Sequence, residues 1–335
     1  MGKSITIALA SAIAISYAFG QAIAADVSDP SVKAPNPVAP APFFSIVDNR
    51  LTYAYMPNGT DPGLSPSTAK QVVAFTHFDA WAYGTNLVNL TLLKSDHSDP
   101  AAPCTTGGRT GCAGATEFYG FLRSTIGFNE VFGTKAFSIG PLRNVSLEFG
   151  GDGEVENNTL APAKQVGVVG FQFAFDLPYK GFFNVAPLYY KEVNHSSFLP
   201  APSDGTLDFR GTWAIETNYY MDLGFLPDYL PLSVSGRAAW YGPKGPGTSV
   251  PGTINRVIEL NSEPIRLTLD ASKAAWGAKY SHLVDVWVAY RYWQNKFGLD
   301  HNAAPGVCTL TVAGLTRSTN TCTESTVYGG VTVKF

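Results

Sequence analysis

The sequence predicts an all-β protein: a closed antiparallel transmembrane β-barrel of about twelve strands. Three observations carry that prediction. Apolar and polar residues alternate with period 2 over stretches of about ten residues, longer than most strands of soluble proteins. The connections between those stretches alternate between long and short. The chain closes on one more alternating stretch, with Phe335 as its last residue.

The first 24 residues read as a secretory signal peptide. Lys3 gives the positive start, Ile5 to Gly20 the apolar stretch, and Ala22-Ile23-Ala24 a small-residue cleavage site. Cleavage near Ala24 implies export, and the expected location is the outer membrane of a Gram-negative bacterium. Residues 25–43 are rich in Pro and Ala and have no hydrophobic period, so a flexible periplasmic tail is expected. Residues 44–335 are assigned to the barrel. No later run of about 18 apolar residues exists to span a bilayer as a helix. Of 335 residues 15% are charged and 13% aromatic, and the net charge is −3. That balance leaves no basic footprint for a nucleic-acid polymer.

Twelve alternating stretches follow, near 44–56, 70–81, 85–95, 115–126, 136–149, 164–176, 182–193, 207–221, 231–241, 264–280, 285–295 and 325–335. Two show the pattern best. From Val169 onward, Phe171, Phe173 and Phe175 share one face, and Gly170, Gln172, Ala174 and Asp176 the other. From Asp208 onward, Arg210, Glu216 and Asn218 share one face, and Phe209, Trp213, Ile215 and Tyr219 the other. The long connections, 57–69, 96–114, 150–163, 194–206, 242–263 and 296–324, are placed outside the cell. The shorter ones, 82–84, 127–135, 177–181, 222–230 and 281–284, are placed in the periplasm with both termini. Gly150-Gly151-Asp152-Gly153 is read as a loop apex. A soluble two-sheet sandwich also alternates, but it explains neither the strand length nor the alternating connections.

The four cysteines, Cys104, Cys112, Cys308 and Cys322, all fall in long connections. An even count in an exported chain favours disulfides, and the short separations favour 104–112 and 308–322. A zinc site is the alternative; it lacks the C-x2-C spacing and a His close by on both sides.

His77, His97, His195, His282 and His301 are scattered without metal-ligand spacing and are read as loop or turn residues. The sequence contains no G-x-S-x-G, P-loop or G-x-G-x-x-G. His77 beside Thr76 gives a faint hint of a hydrolase; otherwise no catalytic residue, metal or cofactor is expected, and the chain is not read as an enzyme. The residues assigned to the lumen are Glu117, Tyr119, Phe121, Arg123, Asp176, Arg210, Glu216, Arg237 and Arg291, with Lys334 at the end. A charge facing lipid costs about 2–4 kcal/mol near the midplane, so these belong inside. They either pair to fill a narrow barrel or line a conduit. Barrels of about eight strands are filled, and those of roughly 16–18 leave wide pores, so twelve suits a channel that discriminates small solutes. Tyr119 and Phe121 are placed to stack on a planar base, with Glu117 and Arg123 bonding its polar rim.

Several stretches add a resemblance. They are Phe78 to Gly84, Glu117 to Ile126, Phe137 to Asn144, Ala289 to Trp293 and the closing Gly329 to Phe335. The last is similar to the assembly signal of Gram-negative outer-membrane proteins. Together the stretches resemble the Tsx-type nucleoside-specific channel-forming outer-membrane proteins. That resemblance implies a monomeric twelve-stranded barrel passing nucleosides through a lumen of aromatic and ionisable residues, with Glu117, Arg123 and Arg291 at matching positions. The cysteine-bearing loops and the Pro/Gly-rich 242–252 stretch depart from the family pattern. The expected function is passive, selective diffusion of a small polar solute, with outer-membrane lipid as the other partner and no cofactor. A general small-solute or ion porin, or a structural or adhesive barrel with a plugged lumen, is the alternative.

Overall fold

The computed structural model describes residues 42–63, 67–102, 104, 112–195, 204–245 and 257–335. The expected signal peptide and nearly all of the expected tail lie outside the described residues. Fifteen strands follow in order: β1 (Phe44–Gly59), β2 (Thr68–Trp81), β3 (Gly84–Ser95), β4 (Thr116–Gly127), β5 (Leu142–Glu156), β6 (Ala163–Leu177), β7 (Gly181–His195) and β8 (Thr206–Asp208), then β9 (Thr212–Asp222), β10 (Leu232–Tyr241), β11 (Glu259–Asp270), β12 (Val284–Gln294), β13 (Thr309–Val312), β14 (Leu315–Ser318) and β15 (Thr323–Lys334). Two short helices, α1 (Phe128–Val131) and α2 (Ala271–Trp276), sit in turns at one end.

The ring closes where β1 meets β15, from Arg50 opposite Lys334 to Tyr55 opposite Gly329. β7 pairs with β6 on one side and β9 on the other, and β8 is a strip on the loop end of β7. With β13 and β14 forming a separate hairpin, twelve strands make the antiparallel barrel that the alternation predicts. Closure leaves no ladder edge, which a sheet in hydrocarbon requires because lipid offers no hydrogen bonds. The start of β1 and Phe335 lie at one end of the barrel, here called the terminal end; the other is the loop end.

Pairing register explains the two faces. Tyr53, Val73, Leu92 and Phe118 stand opposite one another across β1 to β4 and are all exposed. Phe149, Val169, Tyr189 and Trp213 continue that outward belt over β5 to β9. The opposite parity carries Ala54, Val72, Arg123 and Asp152, which are buried inside. The β2–β3 turn is tight because Gly84 has no side chain: a Cβ there would sit 1.7 Å from the Thr125 carbonyl oxygen.

Three strand boundaries differ from the sequence reading. The 136–149 stretch is displaced to β5 because Phe137 packs on Phe128 (5.2 Å) and Phe132 (6.0 Å), building an aromatic turn that mimics alternation. The 264–280 stretch stops at Asp270, whose carboxylate accepts from the Lys273 amide (2.8 Å) and starts α2. The 207–221 stretch breaks at 209–211, between β8 and β9. Loop lengths therefore alternate only in part: 157–162 is short at the loop end, and 128–141 and 271–283 are long at the terminal end. Both expected disulfides form, with Cα separations of 6.0 Å for Cys104–Cys112 and 5.4 Å for Cys308–Cys322.

His282, in the last terminal-end turn, bonds Asp285 (3.0 Å) and approaches Asp270 (3.9 Å). Burial alone would lower its pKa, but the bond to Asp285 and the charges of both carboxylates outweigh that and raise it. A raised folded-state pKa means the stabilisation is complete below the ordinary histidine range and is lost as pH rises through the folded value. Urea midpoints should therefore fall between pH 6 and 8, and His282→Gln should flatten that step.

Candidate functional site

The interior is crossed by an ion group centred on Arg123. Its Nε and Nη2 donate to the Glu216 carboxylate at 2.9 and 2.6 Å, and Nη1 donates to Asp152 at 2.7 Å. Glu148 lies 3.9 Å from the same guanidinium. β5, β6 and β7 separate β4 from β9 in the ring, so the Arg123–Glu216 bond spans the lumen as a chord. Gly150, opposite Arg123 in the β4–β5 register, makes room; a Cβ there would meet the Leu122 carbonyl at 2.0 Å and Arg123 Cδ at 3.0 Å. The Gly150 to Gly153 run is thus an interior part of β5 and not a loop apex. The Phe121 ring lies 4.3 Å from the Arg123 guanidinium carbon, so one of its faces is already occupied. Tyr119, on the same inward parity, stands opposite Glu154.

Towards the loop end the interior is filled by buried ions. Lys70 bonds Asp61 (2.9 Å) and Glu117 (3.3 Å). Arg291 and Lys296 both hold Glu324, at 2.5 and 3.0 Å. Lys244 sits between Glu192 and Glu259, 2.6 Å from each, with all three side chains at most 1% exposed. Trp293 Nε1 donates to Glu259 (2.9 Å), and the Tyr190 hydroxyl to Glu192 (2.5 Å). Inward parity at the strand ends was a signal for Lys70, Glu192 and Glu324. Lys244 had none, since it lies past the end of β10 in a stretch expected to be an external loop.

Arg237 is different. It has inward parity on β10 and is exposed, opposite Asn218 on β9 and Glu263 on β11. Glu263 is already held by Arg266 (2.7 Å) and by the Tyr328 hydroxyl. No hydrogen bond or ion pair to Arg237 exists among the described residues. Asn184 donates to Asn218 at 3.0 Å beside it, and Asn218 is exposed as well.

Two expected lumen residues fall elsewhere. Asp176 ends β6 at the terminal rim, in an exposed pair with Arg143 (3.3 Å). Arg210 lies in the break between β8 and β9 and points to solvent. The chain leaves the strand there because Phe209 turns inward and is buried beneath Lys244, 5.8 Å from its ring. Lys334 pairs with Asp48 at 2.8 Å.

His77 is a strand residue, not a loop or turn residue. With Asn49, Asp79, Asn86 and Ser124 it forms a polar chain on the outward face. His77 bonds Asn49 (2.7 Å) and Asp79 (3.1 Å), Asn86 donates to Asp79 (2.8 Å), and Ser124 donates to Asn86 (2.7 Å). Phe43 stacked on Trp81, with Tyr83 edge-on to the same indole, matches an interfacial girdle, where polar groups cost little. Thr76 faces the other way, towards Asn89 (2.8 Å), because consecutive strand residues project to opposite faces. Thr76 is therefore not a nucleophile placed beside His77.

No protein-family model matches the chain, and no curated protein does. Two solved structures are similar in outline. The Pseudomonas aeruginosa protein OccK11 (OpdR) is 9% identical, with a TM-score of 0.25, over 86% of this chain and 95% of its own. OccK5 (OpdH) of the same organism is 8% identical, with a TM-score of 0.26, over 86% of this chain and 98% of its own. At that level no residue role is carried across.

Proposed function

We propose that the barrel is an outer-membrane channel for passive, selective diffusion of small polar solutes, working as a monomer with both termini in the periplasm. The observation that carries this reading is Arg237. A guanidinium without a partner is tolerated only where water reaches it, so an exposed, unpaired Arg on the inward wall marks a wet lumen. Above that level the buried ions and the Arg123 chord narrow the path, which is where selectivity would arise. Nucleosides are the favoured solute. The supports are the Tsx-type resemblance, the inward rings of Tyr119 and Phe121, and ionisable groups able to bond a base or ribose. Passive diffusion needs no cofactor and no chemical step.

Planar-bilayer conductance tests this. The wild type should conduct in small unitary steps and be partly blocked by added nucleoside. Arg237→Glu should fold normally and shift the reversal potential towards cation preference, because it reverses an exposed interior charge that no carboxylate holds in an ion pair among the described residues. The plugged-barrel reading is favoured by the Arg123–Glu216 chord; it predicts a folded wild type with no unitary conductance.

A further inference from the structure

Asp61, Asp99 and Glu156 meet beneath the loop end. Asp61 lies in the β1–β2 loop, Asp99 in the β3–β4 loop and Glu156 at the end of β5. One oxygen from each lies within 4.8 Å of the others. Their exposures are 5%, 1% and 7%. A second observation is independent of that proximity. Asp61 Oδ2, both Asp99 carboxylate oxygens and Glu156 Oε1 have no hydrogen-bond partner, four of the six such buried atoms among the described residues. Buried carboxylate oxygens without partners are strongly unfavourable, so an orphaned set converging on one point asks for a cation.

Lys70 does not meet that need. It bonds Asp61 Oδ1 and Glu117, leaving Asp61 Oδ2 and the other two carboxylates unanswered. Four carboxylates, counting Glu117, thus face one ammonium.

We propose that Asp61, Asp99 and Glu156 bind a hard divalent cation, calcium fitting best, which ties the disulfide-bearing β3–β4 loop to the barrel mouth. Hard cations take oxygen ligands, and calcium accepts irregular sets at about 2.3–2.6 Å, whereas magnesium demands near-octahedral geometry at about 2.1 Å. Three carboxylates from three chain segments close the loops on the strand end without rearranging the ladder. The backbone already prepares the site: the Ala115 amide donates to the Asp99 carbonyl (2.6 Å) and the Ala102 amide to the Asn157 carbonyl (2.7 Å).

The test uses the full barrel refolded in detergent at pH 7.5, stripped with chelator and titrated with calcium chloride by equilibrium dialysis. One calcium should bind, magnesium should compete poorly, and the urea midpoint should rise with calcium concentration. Asp99→Asn and Glu156→Gln should each weaken binding by at least about tenfold. Without calcium, Asp99→Asn should unfold at higher urea than the stripped wild type, since it removes an uncompensated buried charge. No binding by the wild type would overturn the proposal. So would binding that persists unchanged in an Asp99→Asn, Glu156→Gln double variant, which would place the cation elsewhere.

Discussion

Arg123→Ala should destabilise the barrel by about 3–5 kcal/mol, the usual cost of removing one partner from a buried ion group. The reason is what remains. Glu216, Asp152 and Glu148 surround the guanidinium, and Arg123 is only 6% exposed. Without it, three carboxylates share a space with the neutral donor Gln172, which reaches only Glu148 (2.7 Å). The urea midpoint should drop sharply, and the heat-modified band on gels should convert at lower temperature. An Arg123→Met, Glu216→Gln, Asp152→Asn variant should recover most of the loss, because it removes two of the three stranded charges along with the cation and leaves Glu148 its bond from Gln172. In bilayers, the same triple variant should conduct more than the wild type, since the chord across the lumen is gone. A single Arg123→Ala variant that unfolds at the wild-type urea concentration would show that the ion group is not formed. Arg291→Ala should cost less, because Lys296 still holds Glu324 at 3.0 Å.

The barrel was legible because membrane burial sorts residues by parity, and parity survives small errors in boundary. Val169, Phe171 and Tyr189 are exposed on one side and Arg123 is buried on the other, as their spacing indicates. Boundaries failed where another force copied the signal. Phe137 packs on Phe128 in a turn and reads as strand. Asp270 turned a long alternating stretch into a helix start that hydropathy does not register. Partners were less legible than faces. Arg123 and Glu216 are 93 residues apart and four strands apart around the ring, a distance no local pattern encodes. The sequence offered both outcomes for the lumen charges, conduit or pairing. Arg123, Glu216 and Arg291 fell to pairing. Of the arginines expected in the lumen, only Arg237 is inward and without an ion pair among the described residues.

Lys244→Met should be comparably damaging, and it separates a filled mouth from an open one. Lys244 lies three residues beyond the end of β10, past Gly242 and Pro243, and its ammonium enters the barrel between Glu192 and Glu259. Both carboxylates are wholly buried. Met matches the length of the lysine stem but carries no charge, so the variant keeps the packing against Tyr190 and Tyr241 and strands two anions. Loss of about 3–5 kcal/mol is expected, measured by urea unfolding. Two further variants divide the effect. Glu192→Gln with Lys244 intact should cost less than Lys244→Met, because the lysine keeps Glu259 and the glutamine still accepts from the Tyr190 hydroxyl. Combining Lys244→Met with Glu192→Gln and Glu259→Gln should restore stability towards wild type. If Lys244 also closes the mouth, that neutral triple variant should show larger unitary conductance and weaker solute block. Unchanged conductance with restored stability would mean the path runs along the Arg237 wall without passing Lys244, and would move the constriction down to the Arg123 chord.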